Sequence, residues 1–127
     1  MSFKPKKILI IEDRMEVLEV QEEIFSQQGF EVITAYNGTA GLKKARELRP
    51  DLILTDIRFP DISGIEICQQ IKQDPELKAI PVIVSSASDM EITEVYQAGA
   101  DLFLLKPTSP DRVLVHVNNL LKKARSL

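Results

Sequence analysis

Apolar residues follow two alternating rhythms along this chain, and the alternation predicts its architecture. Short runs that are apolar at almost every position, Ile8-Leu9-Ile10-Ile11, Leu52-Ile53-Leu54-Thr55, Val82-Ile83-Val84 and Leu102-Phe103-Leu104-Leu105, read as strands covered on both faces. Between them, apolar residues recur at helical spacing. The first such segment carries Val17, Val20 and Ile24, flanked by Leu18 and Phe25, and Gly29 stops it. Residues 31–36 are mixed, with a charge at the start, and predict an edge strand. A second helix sets Gly41, Leu42, Ala45 and Leu48 on one face and ends before Pro50. A loop with Pro60 and Gly64 leads into a third helix bearing Ile67, Cys68 and Ile71, which Asp74-Pro75 terminates. The fourth helix holds Ile92, Val95 and Tyr96 and closes at Gly99. Ser109-Pro110 supplies an N-cap and a first-turn proline to the last helix. Its buried stripe is Val113, Val117, Leu120 and Leu121, and Lys122, Lys123 and Arg125 occupy the final turn, where cations favour the helix dipole.

Strict alternation of strands and helices predicts an α/β protein with a doubly wound, five-stranded parallel sheet, five helices and right-handed crossovers. The amphipathic second run and the buried third and fourth suggest the flavodoxin-like order 2-1-3-4-5. Repeats, low-complexity stretches and linkers are absent from the sequence, so residues 1–127 are expected to form a single domain.

Composition narrows the function more than the fold. A length of 127 residues is enough to bury a proper core, and 44% hydrophobic with 28% charged residues is ordinary for a globular chain. A net charge of −3 and a pI near 5.2 argue against nucleic acid as a direct ligand, because no basic stripe is available to neutralise phosphates. No apolar run approaches membrane-spanning length. The basic start, Met1-Ser2-Phe3-Lys4-Pro5-Lys6-Lys7, leads into an apolar run too short for a secretory leader. One cysteine cannot form an internal disulfide, which fits the reducing cytoplasm.

The candidate chemistry sits at the strand ends. Glu12-Asp13 follow the first strand, Asp56 the third and Lys106 the fifth. In a parallel sheet the carboxyl ends of neighbouring strands lie side by side and form the ligand crevice. Three carboxylates and one ammonium then sum to −2 in one pocket. Such a cluster repels itself unless a cation joins it, and an all-oxygen set suits Mg²⁺ better than zinc.

Further residues give these charges a context. The stretch Asp56-Ile57-Arg58-Phe59-Pro60-Asp61-Ile62-Ser63-Gly64 follows the third strand, and Ser86-Ala87 follow the fourth. Gly99-Ala100-Asp101-Leu102-Phe103-Leu104-Leu105-Lys106-Pro107 surrounds the fifth. Together with Glu12-Asp13, these pieces resemble the response-regulator receiver domain of two-component signalling over nearly the whole chain. The resemblance implies that Asp56 is the phosphoacceptor for a sensor histidine kinase or a histidine phosphotransfer protein. It implies that Asp13, Asp56 and the backbone carbonyl of Arg58 ligate Mg²⁺, with Glu12 acting through a water. Lys106 would neutralise the transferred group, and the Ser86 hydroxyl would donate to a phosphoryl oxygen. Ser86 and Phe103 are then the switch pair: the hydroxyl moves toward the phosphoryl group and the ring turns inward. The surface of helix four, strand five and helix five changes as a result and engages a downstream effector. Many members carry tyrosine where Phe103 stands, so a phenol contact at that position is not expected here. Arg58 and Ser88, each two residues beyond a signature residue, would tune phosphoryl lifetime, with Arg58 leaning over the phosphoryl group. A cis Lys106-Pro107 bond, a monomer or phosphorylation-dependent dimer, and a stand-alone receiver ending just after its last helix complete the expectation.

Each piece also has a plain structural explanation. An acid pair after a strand caps a helix, a serine at a strand end satisfies backbone, and Lys-Pro makes a turn. Their agreement in place and charge favours function. A flavin-binding flavodoxin-like protein would cradle phosphate on neutral loops, whereas the first loop here is acidic. A phosphatase with an aspartate nucleophile would place a second aspartate where Arg58 stands. A receiver-like docking module without phosphorylation would have no use for the intact charged set. Cys68, His116, Tyr36 and Tyr96 are expected to serve packing or the helix surface.

Overall fold

The computed structural model describes residues 4–125; residues 1–3 and 126–127, and the side chain of Arg125, lie outside what is described. That leaves the first three residues of the basic start, and one cation of the last helical turn, without structural comment. The elements run β1 (Lys7–Ile11), α1 (Met15–Gln27), β2 (Glu31–Ala35), α2 (Gly38–Leu48), β3 (Leu52–Asp56), α3 (Gly64–Gln73), β4 (Val82–Ser86), α4 (Ile92–Gln97), β5 (Leu102–Leu105) and α5 (Pro110–Arg125). All strands are parallel, in the order β2-β1-β3-β4-β5. Both the class and the order agree with the sequence reading, and residues 31–35 are indeed an edge strand.

The continuous apolar runs split by the two-residue period of a strand into two cores. Leu9, Ile11, Ile53, Val82, Val84 and Phe103 point to the face covered by α2, α3 and α4. Ile8, Ile10, Leu52, Leu54, Ile83 and Leu104 point to the other, covered by α1 and α5. Burying one such aliphatic side chain contributes about 1.5–3 kcal/mol, and most of these are fully buried, so the sheet interior is the rigid frame of the molecule.

The helix faces differ in part from the expected stripes. On α1 the buried residues are Leu18 and Phe25, while Val20 is 55% exposed. Leu48, expected on the inner face of α2, is exposed, as are Ile92 and Tyr96 on α4, where Val95 alone is buried. Tyr36 follows β2 as an exposed residue and does not pack into the core. Cys68 is fully buried on α3, and that burial pushes its thiol up to about 11, so it stays protonated and packs as a small apolar group. His116 is half-buried on α5.

Candidate phosphoryl-transfer site

Register explains why distant residues meet. Ile11 pairs with Thr55, so Glu12 follows β1 at the level of Asp56 in β3. Asp56 pairs with Ser85, and Ser86 pairs with Leu105, which places Lys106 one step beyond. The strand-end residues therefore share one rim. One carboxylate oxygen from each of Glu12, Asp13 and Asp56 lies within 4.8 Å of the others. Glu12 is buried, Asp56 half-buried and Asp13 exposed, a gradient from sheet interior to solvent.

Lys106 bridges this cluster. Its Nζ donates to Asp56 Oδ2 at 3.0 Å and to Glu12 Oε1 at 3.3 Å. The other Asp56 oxygen, Oδ1, accepts the backbone N–H of Ile57 at 2.7 Å. Both oxygens of Asp56 are thereby held in place. Lys106 is itself anchored, since its backbone N–H donates to the Ser86 carbonyl at 2.8 Å. The Lys106-Pro107 peptide bond is cis. Glu12 has a second cationic neighbour that the sequence reading did not name. Arg14 donates its backbone N–H to Glu12 Oε2 at 3.2 Å, and its guanidinium lies 3.6 Å from Glu12 Oε1.

The acidic set fits a hard divalent ion. All side-chain donors are oxygen, they sit within one ion's reach, and the single bridging ammonium leaves the cluster net negative. Ser86 is buried beside β3, and its Oγ accepts the Ser88 backbone N–H at 3.3 Å, which leaves the hydroxyl proton free to be given to another acceptor.

Two site residues lie differently from the sequence picture. The Arg58 side chain does not lean over Asp56; its Nη2 donates to Glu91 Oε1 at 2.5 Å, at the N-terminus of α4. The guanidinium pairs with that carboxylate at the surface, while Lys106 holds the position beside Asp56. Phe103 is already buried in the larger core, 8% exposed, so its ring occupies the inward position in this structure. The phenol missing at position 103 is supplied close by: Tyr96, half-exposed on α4, accepts the Phe103 backbone N–H at 3.1 Å through its hydroxyl. Nothing in the spacing of Tyr96 marks that role, because it depends on how a short helix lies against the edge of β5.

Likeness to known proteins agrees with this arrangement. The sequence model of the response regulator receiver domain matches residues 8–118. The polar-differentiation response regulator DivK of Brucella anthropi is 37% identical over 122 residues, covering 94% of this chain and 99% of the relative. The alkaline phosphatase synthesis transcriptional regulatory protein PhoP of Bacillus subtilis is 35% identical over 121 residues, 94% of this chain but only 50% of that longer protein. Among solved structures, a CheY-like response regulator receiver domain protein from Methanospirillum hungatei superposes with a TM-score of 0.91 at 27% identity, over 97% of this chain and 98% of the other. A response regulator from Chloroflexus aurantiacus does so with a TM-score of 0.88 at 30% identity, covering 94% and 99%. With the strand order, the acidic cluster and the matched family profile in agreement, the chain belongs to the response regulator receiver domain family of two-component signalling.

Proposed function

We propose that the chain is a phosphoacceptor that takes a phosphoryl group onto Asp56 from a sensor histidine kinase or a histidine phosphotransfer protein. The observation that carries this reading is the meeting of Glu12, Asp13 and Asp56 within 4.8 Å, with Lys106 Nζ 3.0 Å from Asp56 Oδ2. A carboxylate oxygen of Asp56 attacks phosphorus, the bond from phosphorus to the donor nitrogen breaks, and the freed imidazole keeps that electron pair and takes up a proton from solvent. Such a transfer needs positioning and charge neutralisation far more than covalent help. Glu12, Asp13, Asp56 and the Arg58 carbonyl would hold Mg²⁺, which when bound offsets the negative field and lets the anionic group approach. Lys106 stands fixed where charge develops, and its contact with Asp56 passes to the phosphoryl oxygens. Ser86 turns its hydroxyl toward the same group.

The switched surface is that of α4, β5 and α5, where the downstream effector binds. Phosphorylation acts through the difference in affinity of that surface's two states for the phosphoryl group. The chain works in the cytoplasm as one domain, catalysing only its own phosphorylation and dephosphorylation.

Incubation with Mg²⁺ and acetyl phosphate followed by intact mass measurement tests the reading. One added phosphoryl mass is expected on the wild type and none on Asp56→Asn. A wild type that gains nothing, or an Asp56→Asn variant that gains as much, overturns it.

A further inference from the structure

Among the described residues, Gln21 holds the one buried side-chain atom without a hydrogen-bond partner, its Oε1. Gln21 lies on α1, mid-helix, and is only half-buried as a residue, so its amide oxygen is tucked inward while the rest of it lies near the surface. An acceptor left unpaired in the interior is unfavourable. Gln21 lines a cavity of about 10 Å³ whose walls also include Glu12, Thr55, Asp56, Ser85 and Lys106. That volume is about what a single water needs.

Lys106 supplies the other half. An ammonium has three protons, and two of them are directed to Asp56 and Glu12. The third is available to the cavity, which Lys106 lines. A water there accepts one hydrogen bond from Lys106 and donates one to Gln21, and the Ser85 hydroxyl on the wall offers a further partner. Buried waters make about three such bonds.

We propose that a single ordered water bridges Lys106 Nζ to Gln21 Oε1, and that Gln21 is a positioning residue for the phosphoryl transfer. It holds the ammonium from behind. Lys106 then keeps its alignment when its contact with Asp56 is handed to the incoming phosphoryl oxygens. The inference rests on the phosphoacceptor reading and adds to it a group remote from the reacting atoms.

Gln21→Met keeps the side chain's length and removes the acceptor. In the variant the rate of phosphorylation by acetyl phosphate at saturating Mg²⁺ should fall about tenfold, the usual scale for losing an outer-shell partner. The Mg²⁺ dissociation constant and the melting temperature should stay unchanged, since the bridge acts only on the alignment of Lys106; a merely structural role would lower the melting temperature instead. Gln21→Leu should behave alike, and a high-resolution crystal structure of the wild type should show solvent between the two groups. A Gln21→Met rate within about twofold of a phosphorylated wild type overturns the positioning role, as does a cavity free of solvent density. A wild type that takes up no phosphoryl group at all overturns the phosphoacceptor reading itself.

Discussion

Gly64 shows how closely one residue can govern the site. A Cβ added there would lie 2.0 Å from the carbonyl oxygen of Asp56 and 3.0 Å from its carbonyl carbon. Both are backbone atoms and cannot swing away. The absence of a side chain lets α3 begin against Asp56 itself, sealed by the Gly64 N–H donating to the Ile57 carbonyl at 2.7 Å. Gly64→Ala should therefore cost about 1–3 kcal/mol in chemical denaturation, as overpacking does, and slow phosphoryl uptake as well. Unchanged stability together with an unchanged rate would show that the close approach is dispensable. Arg58 is governed by a partner instead. Its ion pair with Glu91 holds the guanidinium away from Asp56, and an aspartyl phosphate would compete for it. Exposed pairs of this kind are worth up to about 1 kcal/mol, so rates should move by up to about fivefold. Glu91→Gln should slow aspartyl-phosphate hydrolysis by releasing Arg58 to cover the phosphoryl group, and Arg58→Ala should speed it. If hydrolysis followed by mass spectrometry is the same in both variants, Arg58 does not shield the group.

The loop between β3 and α3 reaches across to tie down a neighbouring helix. Asp61 accepts the backbone N–H groups of Gly38 at 3.1 Å and Thr39 at 2.8 Å, the first turn of α2, where a negative charge also complements the helix dipole. Its carboxyl is held well below the ordinary 3.8, chiefly by the hydrogen bond with the Thr39 side chain; partial desolvation opposes this, and the backbone N–H groups add to the lowering. The unfolded chain binds the proton more readily, so this contribution is present above pH 3.8 and is lost as pH falls from there toward the lowered folded value. Asp61 is exposed, so the effect is modest. Urea denaturation from about pH 7 to about pH 2 should show Asp61→Asn with a shallower acid loss than the wild type, and parallel curves would contradict it. Strands were easier to read than helix faces for a physical reason. A strand covered on both sides must be apolar throughout, whereas a surface helix also carries apolar residues beside its buried seam. That is why Val20, Leu48 and Ile92 fit the spacing of α1, α2 and α4 and still face solvent. Legible likewise was the placement of Glu12, Asp13, Asp56, Ser86 and Lys106, because each stands at the end of a readable strand. The contacts of Arg14, Glu91 and Tyr96 were not, since they depend on loop paths and on helix placement that no local periodicity encodes.

Across the molecule, the parallel order β2-β1-β3-β4-β5 is what turns scattered charges into one rim. Two cores hold the sheet from opposite faces, so the strand ends are fixed relative to one another before any ligand arrives. That rigidity concentrates negative charge that is only partly offset: Lys106 and Arg14 touch Glu12, and among the described residues Lys106 is the one cation that reaches Asp56. Helices α4 and α5 flank the β5 end of the same sheet, and Tyr96 links α4 to the backbone of Phe103, which gives a change at the rim a short path to an exposed surface. Every step of this depends on the acidic rim attracting a hard dication strongly enough to admit a second anion. Calorimetric titration with Mg²⁺ is the direct test: the wild type should take up one ion per chain, and Asp13→Asn and Asp56→Asn should each weaken that uptake by about tenfold or more. A wild type that releases no heat of binding and leaves its rim resonances unmoved at millimolar Mg²⁺, or variants that bind as well as it does, would contradict the proposed site.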